Sequence, residues 1–211
     1  MKRKLLLFLF IVLSSSQIVL AQIKKGSIFL GGSAFITASK VNSDFSDGDR
    51  KQLNYSFFPA AGKFIEDNLV WGGELQIAGF NNKYGFDLYQ RNFTVGAGTF
   101  IRKYFQVVNR LYVFGQGRFG VNYIRENARG THDALDSKGY SIGISAYPGM
   151  SYAISKKVYL ETGLANLVTI YYQHKKAHQN IAPTTIRTGD FHFGTSLDSE
   201  TGLTVGIRVI I

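Results

Sequence analysis

Hydrophobic and polar positions alternate with a period of two along most of this chain, and residues 111–123 show the alternation best. One set of alternate positions is largely apolar: Leu111, Val113, Gly115, Gly117, Phe119, Val121 and Tyr123. The other set is more polar: Tyr112, Phe114, Gln116, Arg118, Gly120 and Asn122. Because successive side chains of a strand point to opposite faces, the pattern predicts β-strands with two chemically distinct faces.

The alternation recurs and predicts eight strands: Ser27–Thr37, Leu53–Phe64, Leu69–Phe80, Phe93–Tyr104, Leu111–Tyr123, Tyr140–Tyr152, Val158–Thr169, and a last strand that carries Leu203 to Ile211. Three connections are short: Ile65–Asn68, Gln106–Arg110 and Ile154–Lys157. Four are long and polar: Ala38–Gln52, Asn81–Asn92, Ile124–Gly139 and Tyr171–Thr188. Short turns alternating with long loops predict an antiparallel up-and-down meander whose two ends face different environments.

The chemistry of the two faces indicates which solvent each one meets. The polar face consists mainly of Gly, Ser, Thr, Asn and Gln with isolated charges, which suits a narrow interior. The apolar face also carries aromatic residues expected at membrane boundaries: Tyr55, Trp71, Tyr123, Tyr140 and Tyr152. A soluble barrel of lipocalin type is the alternative, but its wet face would carry many Lys and Glu residues. The pattern therefore favours an eight-stranded transmembrane β-barrel.

The first residues have the features of a secretory signal peptide. Lys2, Arg3 and Lys4 precede an apolar stretch from Leu5 to Leu13, and Ala21 is a small residue at the expected cleavage site. We therefore expect residues 1–21 to be a cleaved signal peptide and residues 22–211 to form the barrel domain. After Ala21 the sequence predicts no helix long enough to span a bilayer, and a membrane-spanning chain without one must close a barrel.

Composition narrows the range of functions. The chain of 211 residues has a formal charge of +10 and contains no cysteine, which excludes disulfides and a thiolate nucleophile. Removal of the signal peptide would leave 21 basic and 14 acidic residues, a charge of +7. Export makes nucleic acid an improbable partner. We expect contact with outer-membrane lipid instead, including anionic lipopolysaccharide.

A set of charged residues falls on the polar face: Glu74, Arg102, Arg118, Glu161 and Arg208, with Gln76 and Gln116 beside them. An unpaired charge in a narrow interior is costly, so these residues are expected to form an ion-pair network inside the barrel. Arg102, Glu161 and Arg208 lie near the same strand ends and are expected to share one layer. A gated polar path for small solutes is the alternative.

The last long connection, Tyr171–Thr188, carries Lys175, Lys176 and Arg187 and no acidic residue. This charge indicates a loop that contacts lipopolysaccharide phosphates or an acidic protein partner. The alternative is an ordinary solvated loop, because most runs of charge are solvated.

The histidines do not form a recognisable metal-binding or catalytic set. His174 and His178 are four residues apart, but their segment shows no helical periodicity, and neighbouring lysines oppose cation binding. His192 has Thr195 and Ser196 nearby, a combination that hydrolases use, yet His192-Phe193-Gly194 stands where outer-membrane lipid A deacylases have a histidine-x-serine element. We therefore predict no catalytic residues, metal site or cofactor.

Two short motifs resemble a known family. Residues 57–72, with the sequence FFPAAGKFIEDNLVWG, and residues 100–105, with the sequence FIRKYF, look like segments of small outer-membrane β-barrel proteins common in Bacteroidetes. Lys63 stands where that family usually has an aromatic residue. The architecture is similar to that of OmpA and OmpX barrels. The resemblance implies a barrel in the outer membrane of a Gram-negative bacterium and implies no reaction.

These observations predict a monomeric barrel with a mostly filled lumen and a structural role, or a role in contacting partners in the envelope through its loops. The main alternative is a narrow, porin-like passive channel. A lipid-modifying enzyme and an accessory subunit of a secretion machine are the remaining alternatives.

Overall fold

A computed structural model describes residues 23–41, 50–84, 88–130, 134–164, 167–179, 184–195 and 203–211. The expected signal peptide, residues 1–21, lies outside these ranges. The described chain forms ten β-segments: β1 (Ile28–Val41), β2 (Arg50–Glu66), β3 (Leu69–Tyr84), β4 (Leu88–Val108), β5 (Leu111–Arg129), β6 (Ala134–Ala153), β7 (Val158–Leu164), β8 (Val168–Gln179), β9 (Thr184–Thr195) and β10 (Leu203–Ile210). Within the described ranges, no helix has the length and apolarity needed to cross a membrane.

All strand pairings are antiparallel, and eight of the segments close a ring. The order around the ring is β1, β2, β3, β4, β5, β6, β7 and β10, and β10 pairs with β1. The other two segments extend the wall: β6 pairs with β7 near one end and with β8 over Leu135–Ala146, and β9 pairs with β8. The predicted all-β, antiparallel up-and-down architecture is confirmed. The number of segments is ten rather than the predicted eight.

The difference arises in the last third of the chain. The predicted strand Val158–Thr169 is divided into β7 and the start of β8, and the predicted loop Tyr171–Thr188 contains most of β8 and the start of β9. These segments pair as a hairpin, yet every position of β9 is exposed. A strand exposed on both faces requires no apolar period, so the alternation in the sequence did not reveal β9.

The other long connections are also shorter than predicted, because the hairpins continue past the apolar stretches. Paired strands reach Val41 and Arg50, Tyr84 and Leu88, and Arg129 and Ala134. We call this side of the ring the hairpin end. The opposite side, with the short turns at residues 67–68, 109–110 and 154–157, is the turn end.

A backbone position with positive φ closes two of the short turns. Asn68 has φ of 61° and Arg110 has φ of 67°. Asparagine adopts this left-handed conformation more readily than most residues. The Oδ1 atom of Asn68 accepts a hydrogen bond from the backbone N–H of Ile23 at 2.9 Å, and its own N–H donates to the Ile23 carbonyl at 2.9 Å. The turn thus holds the start of the described chain against the barrel.

Two prolines mark interruptions in the strand ladders. The β2–β3 pairing passes from Phe57 to Ala60, and β6 changes its partner from β8 to β7 between Ala146 and Gly149. Pro59 and Pro148 lie in these two gaps. Because proline has no N–H to donate, a ladder hydrogen bond is lost at each position.

The two faces of the wall differ in the way the alternation predicts. Large apolar side chains are exposed on the outer face, and Trp71 is 58% exposed. The buried apolar residues lie inside and gather towards the turn end; the largest are Tyr104, Phe29, Phe64 and Phe100. Tyr104 packs against Phe64, Tyr112 and Phe114 at ring-centroid distances of 5.7–6.3 Å. An aromatic cluster therefore fills the interior at the turn end.

Close strand packing leaves no room for a side chain at Gly72. A Cβ added at Gly72 would lie 2.7 Å from the Cα of Gly62 and 2.8 Å from the ring of Phe100. We expect Gly72→Ala to lower the free energy of unfolding by about 1–3 kcal/mol through overpacking. Gly115→Ala is the control, because a Cβ there would meet no heavy atom within 4 Å. Thermal unfolding followed by circular dichroism measures both, and equal midpoints for the two variants would contradict the prediction.

Candidate functional site

The interior of the ring contains five largely buried charged residues among those that the structure describes. The buried charged residues are Glu74 on β3, Arg102 on β4, Glu161 on β7 and Arg208 on β10, and Arg118 on β5 is 12% exposed. They come from three consecutive strands, β3 to β5, and from β7 and β10 much later in the chain. The ring brings them together in two groups.

The group nearer the turn end is built around one carboxylate. The Oε2 atom of Glu161 lies 2.7 Å from Nη1 of Arg102 and 3.1 Å from Nε of Arg208. The hydroxyl of Tyr104 donates to the other oxygen, Oε1, at 2.7 Å. These side chains of Arg102, Glu161 and Arg208 are only 3–4% exposed. One carboxylate thus forms ion pairs with two guanidinium groups that are almost completely removed from solvent.

Arg102 makes the most contacts in this group. Its Nε donates to Oε1 of Gln116 at 2.6 Å, and its Nη1 donates to the Tyr104 hydroxyl at 2.9 Å. Its guanidinium carbon lies 4.2 Å from the ring centroid of Phe114 and 5.2 Å from that of Phe29. Stacking on aromatic faces stabilises a desolvated guanidinium group. Arg102 therefore joins the ion pairs to the aromatic cluster below them.

The second group lies nearer the hairpin end. Nε of Arg118 forms an ion pair with Oε1 of Glu74, and Nη2 of Arg118 donates to Oε1 of Gln76 at 2.9 Å. The amide of Gln116 donates to Oε2 of Glu74 at 3.4 Å and accepts from Arg102. Gln116 consequently links the two groups into one polar network.

Two cavities lie beside this network. A cavity of about 250 Å³ lies towards the hairpin end, with polar lining residues that include Gln76, Asn122, Ser141 and Gln173. A much smaller cavity of about 40 Å³ lies between Glu74, Arg118, Tyr147 and Arg208. From hairpin end to turn end, the interior passes from a polar cavity to the ion-paired network and then to the aromatic cluster.

The basic residues of the predicted last loop lie on strands, so their placement in a loop was wrong. Lys175 and Lys176 are on β8, and Arg187 is on β9. Lys175 forms an ion pair with Glu126 of β5 at 2.7 Å and is partly buried. Lys176 and Arg187 are exposed and lie directly opposite each other across β8 and β9.

The histidines pack against aromatic rings. His174 lies 5.5 Å from the ring of Tyr140, and His192 stacks on Tyr171 at 4.6 Å. Over the described ranges, no group of three or more potential His, Cys, Asp or Glu ligands could hold a metal ion. Ser196, the possible neighbour of His192, lies outside the described residues.

Sequence reasoning missed Tyr104 as a member of the network. Tyr104 is on the same face of β4 as Arg102, so the two-residue alternation contained the signal. Its hydroxyl both accepts from Arg102 and donates to Glu161, a role that depends on the register of distant strands. The partial burial of Lys175 was missed for the same reason.

Comparison with known proteins gives similarity to solved structures only. No family model matches the chain, and no curated protein matches it. Among solved structures, the chain is similar to Neisserial surface protein A (NspA), with 20% identity over 88% of this chain and 99% of that one, at a TM-score of 0.44. It is similar to the outer membrane protein OprG from Pseudomonas aeruginosa, with 15% identity over 89% of this chain and 97% of that one, at a TM-score of 0.46. The outer membrane protein Ail of Yersinia pestis shares 12% identity over 89% of this chain and 100% of that one, at a TM-score of 0.30.

The shared carboxylate gives a direct test of the network. Glu161→Ala leaves two buried guanidinium groups without their counter-charge, and we expect the free energy of unfolding to fall by about 3–5 kcal/mol. Glu161→Gln keeps the size of the side chain and one acceptor oxygen. Its free energy of unfolding should lie between those of the wild type and the alanine variant. The measurement is the thermal unfolding midpoint.

A matched control uses Glu126, an acid whose ion pair is more exposed to solvent. Glu126→Ala removes the ion pair with Lys175, whose side chains are about a quarter exposed. Because solvent screens such a pair, we expect a loss of about 1 kcal/mol or less. Equal losses for Glu161→Ala and Glu126→Ala would contradict a special role for the buried network.

Proposed function

We propose that this chain is an integral β-barrel protein of the outer membrane of a Gram-negative bacterium. Its lumen is closed, and its role is structural or consists of contacts with envelope or extracellular partners through the hairpin end. Residues 1–21 direct its export. It functions as a monomer, because the ring closes within one chain, and we propose no catalytic activity for it. It belongs with the small outer-membrane barrels that its motifs resemble.

The reversed polarity of the wall carries this proposal. Exposed apolar side chains cover the outer face, including Trp71, Ile207 and Leu75 at 54–58% exposure, while Arg102 and Glu161 are buried inside. In water, such a wall would expose a large apolar surface, which soluble monomers avoid. A lipid environment accounts for both faces, since it accepts apolar side chains and supplies no partner for charges. A soluble barrel of lipocalin type would instead have its apolar side chains inside and its polar side chains on the outer face.

The height of the apolar wall matches a bilayer. On β5, the outward positions from Leu111 to Tyr123 span about 30 Å at a usual strand rise and a tilt of about 40°, close to the hydrocarbon thickness of a membrane. Exposed aromatic residues lie near both limits: Trp71 and Tyr152 towards the turn end, Tyr123 and Tyr140 towards the hairpin end. Aromatic girdles at these two levels are typical of outer-membrane barrels.

The narrow passive channel is the second candidate, and the polar cavity near the hairpin end favours it. A solute that enters this cavity next meets the pair of Arg118 and Glu74, then the Glu161 group, and finally the aromatic cluster. Passage would require the displacement of all three. These three obstacles therefore favour a closed lumen over a channel.

Membrane integration is tested by expressing the full chain in a Gram-negative host. We expect it in the outer-membrane fraction, resistant to alkaline carbonate, and with faster migration on gels when the sample is not boiled. Recovery in the soluble periplasmic fraction would contradict the proposal.

Planar-bilayer recording separates the closed barrel from the channel. We expect the purified wild-type protein to give no steady open level, because the network and the aromatic cluster fill the cross-section. As a control for detection, a larger porin reconstituted in the same way must conduct. A reproducible steady conductance from the wild-type barrel would replace the closed-lumen proposal with the channel.

A further inference from the structure

Four basic residues from four neighbouring strands stand side by side at the hairpin end. Arg125 of β5 pairs in register with Lys138 of β6, Lys138 with Lys176 of β8, and Lys176 with Arg187 of β9. We call Arg125, Lys138, Lys176 and Arg187 the basic row. With neighbouring strands about 4.8 Å apart, the row is about 14 Å long.

All four side chains of the basic row are exposed, and they lie on the outer face of the wall. Arg125 follows Tyr123 by two positions, and Lys138 precedes Tyr140 by two, so each shares a face with an exposed tyrosine. Tyr123 and Tyr140 are themselves cross-strand partners. The basic row therefore runs directly beyond the aromatic residues that mark the edge of the apolar wall.

This arrangement is unfavourable without a ligand. Like charges directly opposite each other on paired strands destabilise a sheet, and here three successive pairs have the same sign. Among the described residues, no carboxylate forms an ion pair with any member of the row. The neighbouring Lys175 differs, since it pairs with Glu126. Asp136, two positions from Lys138 on β6, forms no such pair.

We propose that the basic row binds the phosphate groups of a phosphorylated glycolipid in the surrounding outer leaflet. The inference rests on the proposed placement of the barrel in the outer membrane. Side chains just beyond an interfacial aromatic layer are at headgroup level, where phosphates lie. Arginine binds phosphate through two parallel hydrogen bonds, and lysine binds it as a point charge.

The length of the row selects the type of headgroup. A row of about 14 Å contacts more than one phosphate at once, so a headgroup that carries two phosphates gains more than one that carries a single phosphate. Arg125 and Arg187 lie at the two ends of the row, where each is free to hold a separate phosphate. Bisphosphorylated lipid A has this chemistry, and phosphatidylglycerol, with one phosphate, does not.

The test uses the full-length protein purified in a zwitterionic detergent and titrated with bisphosphorylated lipid A, with bound lipid counted by native mass spectrometry. The row variant carries Arg125→Ser, Lys138→Ser, Lys176→Ser and Arg187→Ser. The control variant removes the same formal charge at the turn end, through Lys24→Ser, Lys25→Ser, Lys156→Ser and Lys157→Ser. Each cation beside anionic lipid contributes roughly fivefold to affinity. We expect at least about tenfold weaker binding for the row variant and a change within about twofold for the control.

The choice of probe separates the possible ligands. We expect binding to weaken from bisphosphorylated lipid A to phosphatidylglycerol and to be lost with dephosphorylated lipid A. Competition by inorganic phosphate at concentrations equal to those of the lipid would overturn the lipid assignment in favour of a free-anion site. A different result would be that polyglutamate binds the wild type and not the row variant, while lipid binds both equally. This result would overturn the lipid assignment in favour of an acidic polypeptide. Equal lipid binding by wild type and row variant would also overturn it.

Two further measurements keep this test distinct from the test of membrane placement. Unboiled gel migration reports barrel folding for each variant, and the double variant Lys138→Gln with Lys176→Gln replaces the row variant if the latter does not fold. A folded, membrane-inserted wild type without row-dependent lipid binding would refute the basic row alone. A wild type that does not enter the outer membrane would refute the proposed function itself.

Discussion

The carboxylate of Glu161 is the contact on which the interior depends. It lies between the guanidinium groups of Arg102 and Arg208 and accepts a hydrogen bond from Tyr104. These residues belong to β4, β7 and β10; β7 and β10 are paired neighbours, and β4 lies elsewhere in the ring. A single acid therefore couples the β7–β10 pair to β4, which shares backbone hydrogen bonds with neither strand. It allows two arginines to remain in a space from which water is almost excluded.

The charged centre and the apolar wall are two consequences of the same closed ring. Closing the sheet satisfies the backbone groups that lipid cannot satisfy. Closure also creates an interior too narrow for bulk water, in which charged groups must pair with one another. Gln116 extends the pairing by bridging Arg102 and Glu74, and Phe114 covers the guanidinium of Arg102. The polar network and the aromatic cluster thus fill one continuous space.

The two-residue alternation predicted most of the ring and the inward position of its charges. It assigned Glu74, Arg102, Arg118, Glu161 and Arg208 to one face, because alternate positions of a strand point to opposite faces of the sheet. It also placed Arg102, Glu161 and Arg208 in one expected layer. It did not predict that Arg118 pairs with Glu74 or that Gln116 links the two groups, since partners depend on the register between strands. The basic row was hidden for the same reason: Arg125 and Arg187 are distant in sequence and come to lie in one row only through three successive pairings. β9 escaped prediction because none of its positions is buried.

The joint between β1 and β10 closes the ring with few backbone contacts. Over the described residues, β1 and β10 share six register pairs, from Phe29 with Ile210 to Ala34 with Val205, whereas β1 and β2 share fourteen. Strands with fewer ladder bonds open at a lower free-energy cost than the rest of a sheet. Amide protons of β10 would thus exchange with solvent before those of β2. Among the described residues, β6 and β7 share only five register pairs, so the short strands β7 and β10 are the part of the ring that we expect to separate first, while β2 to β5 stay paired.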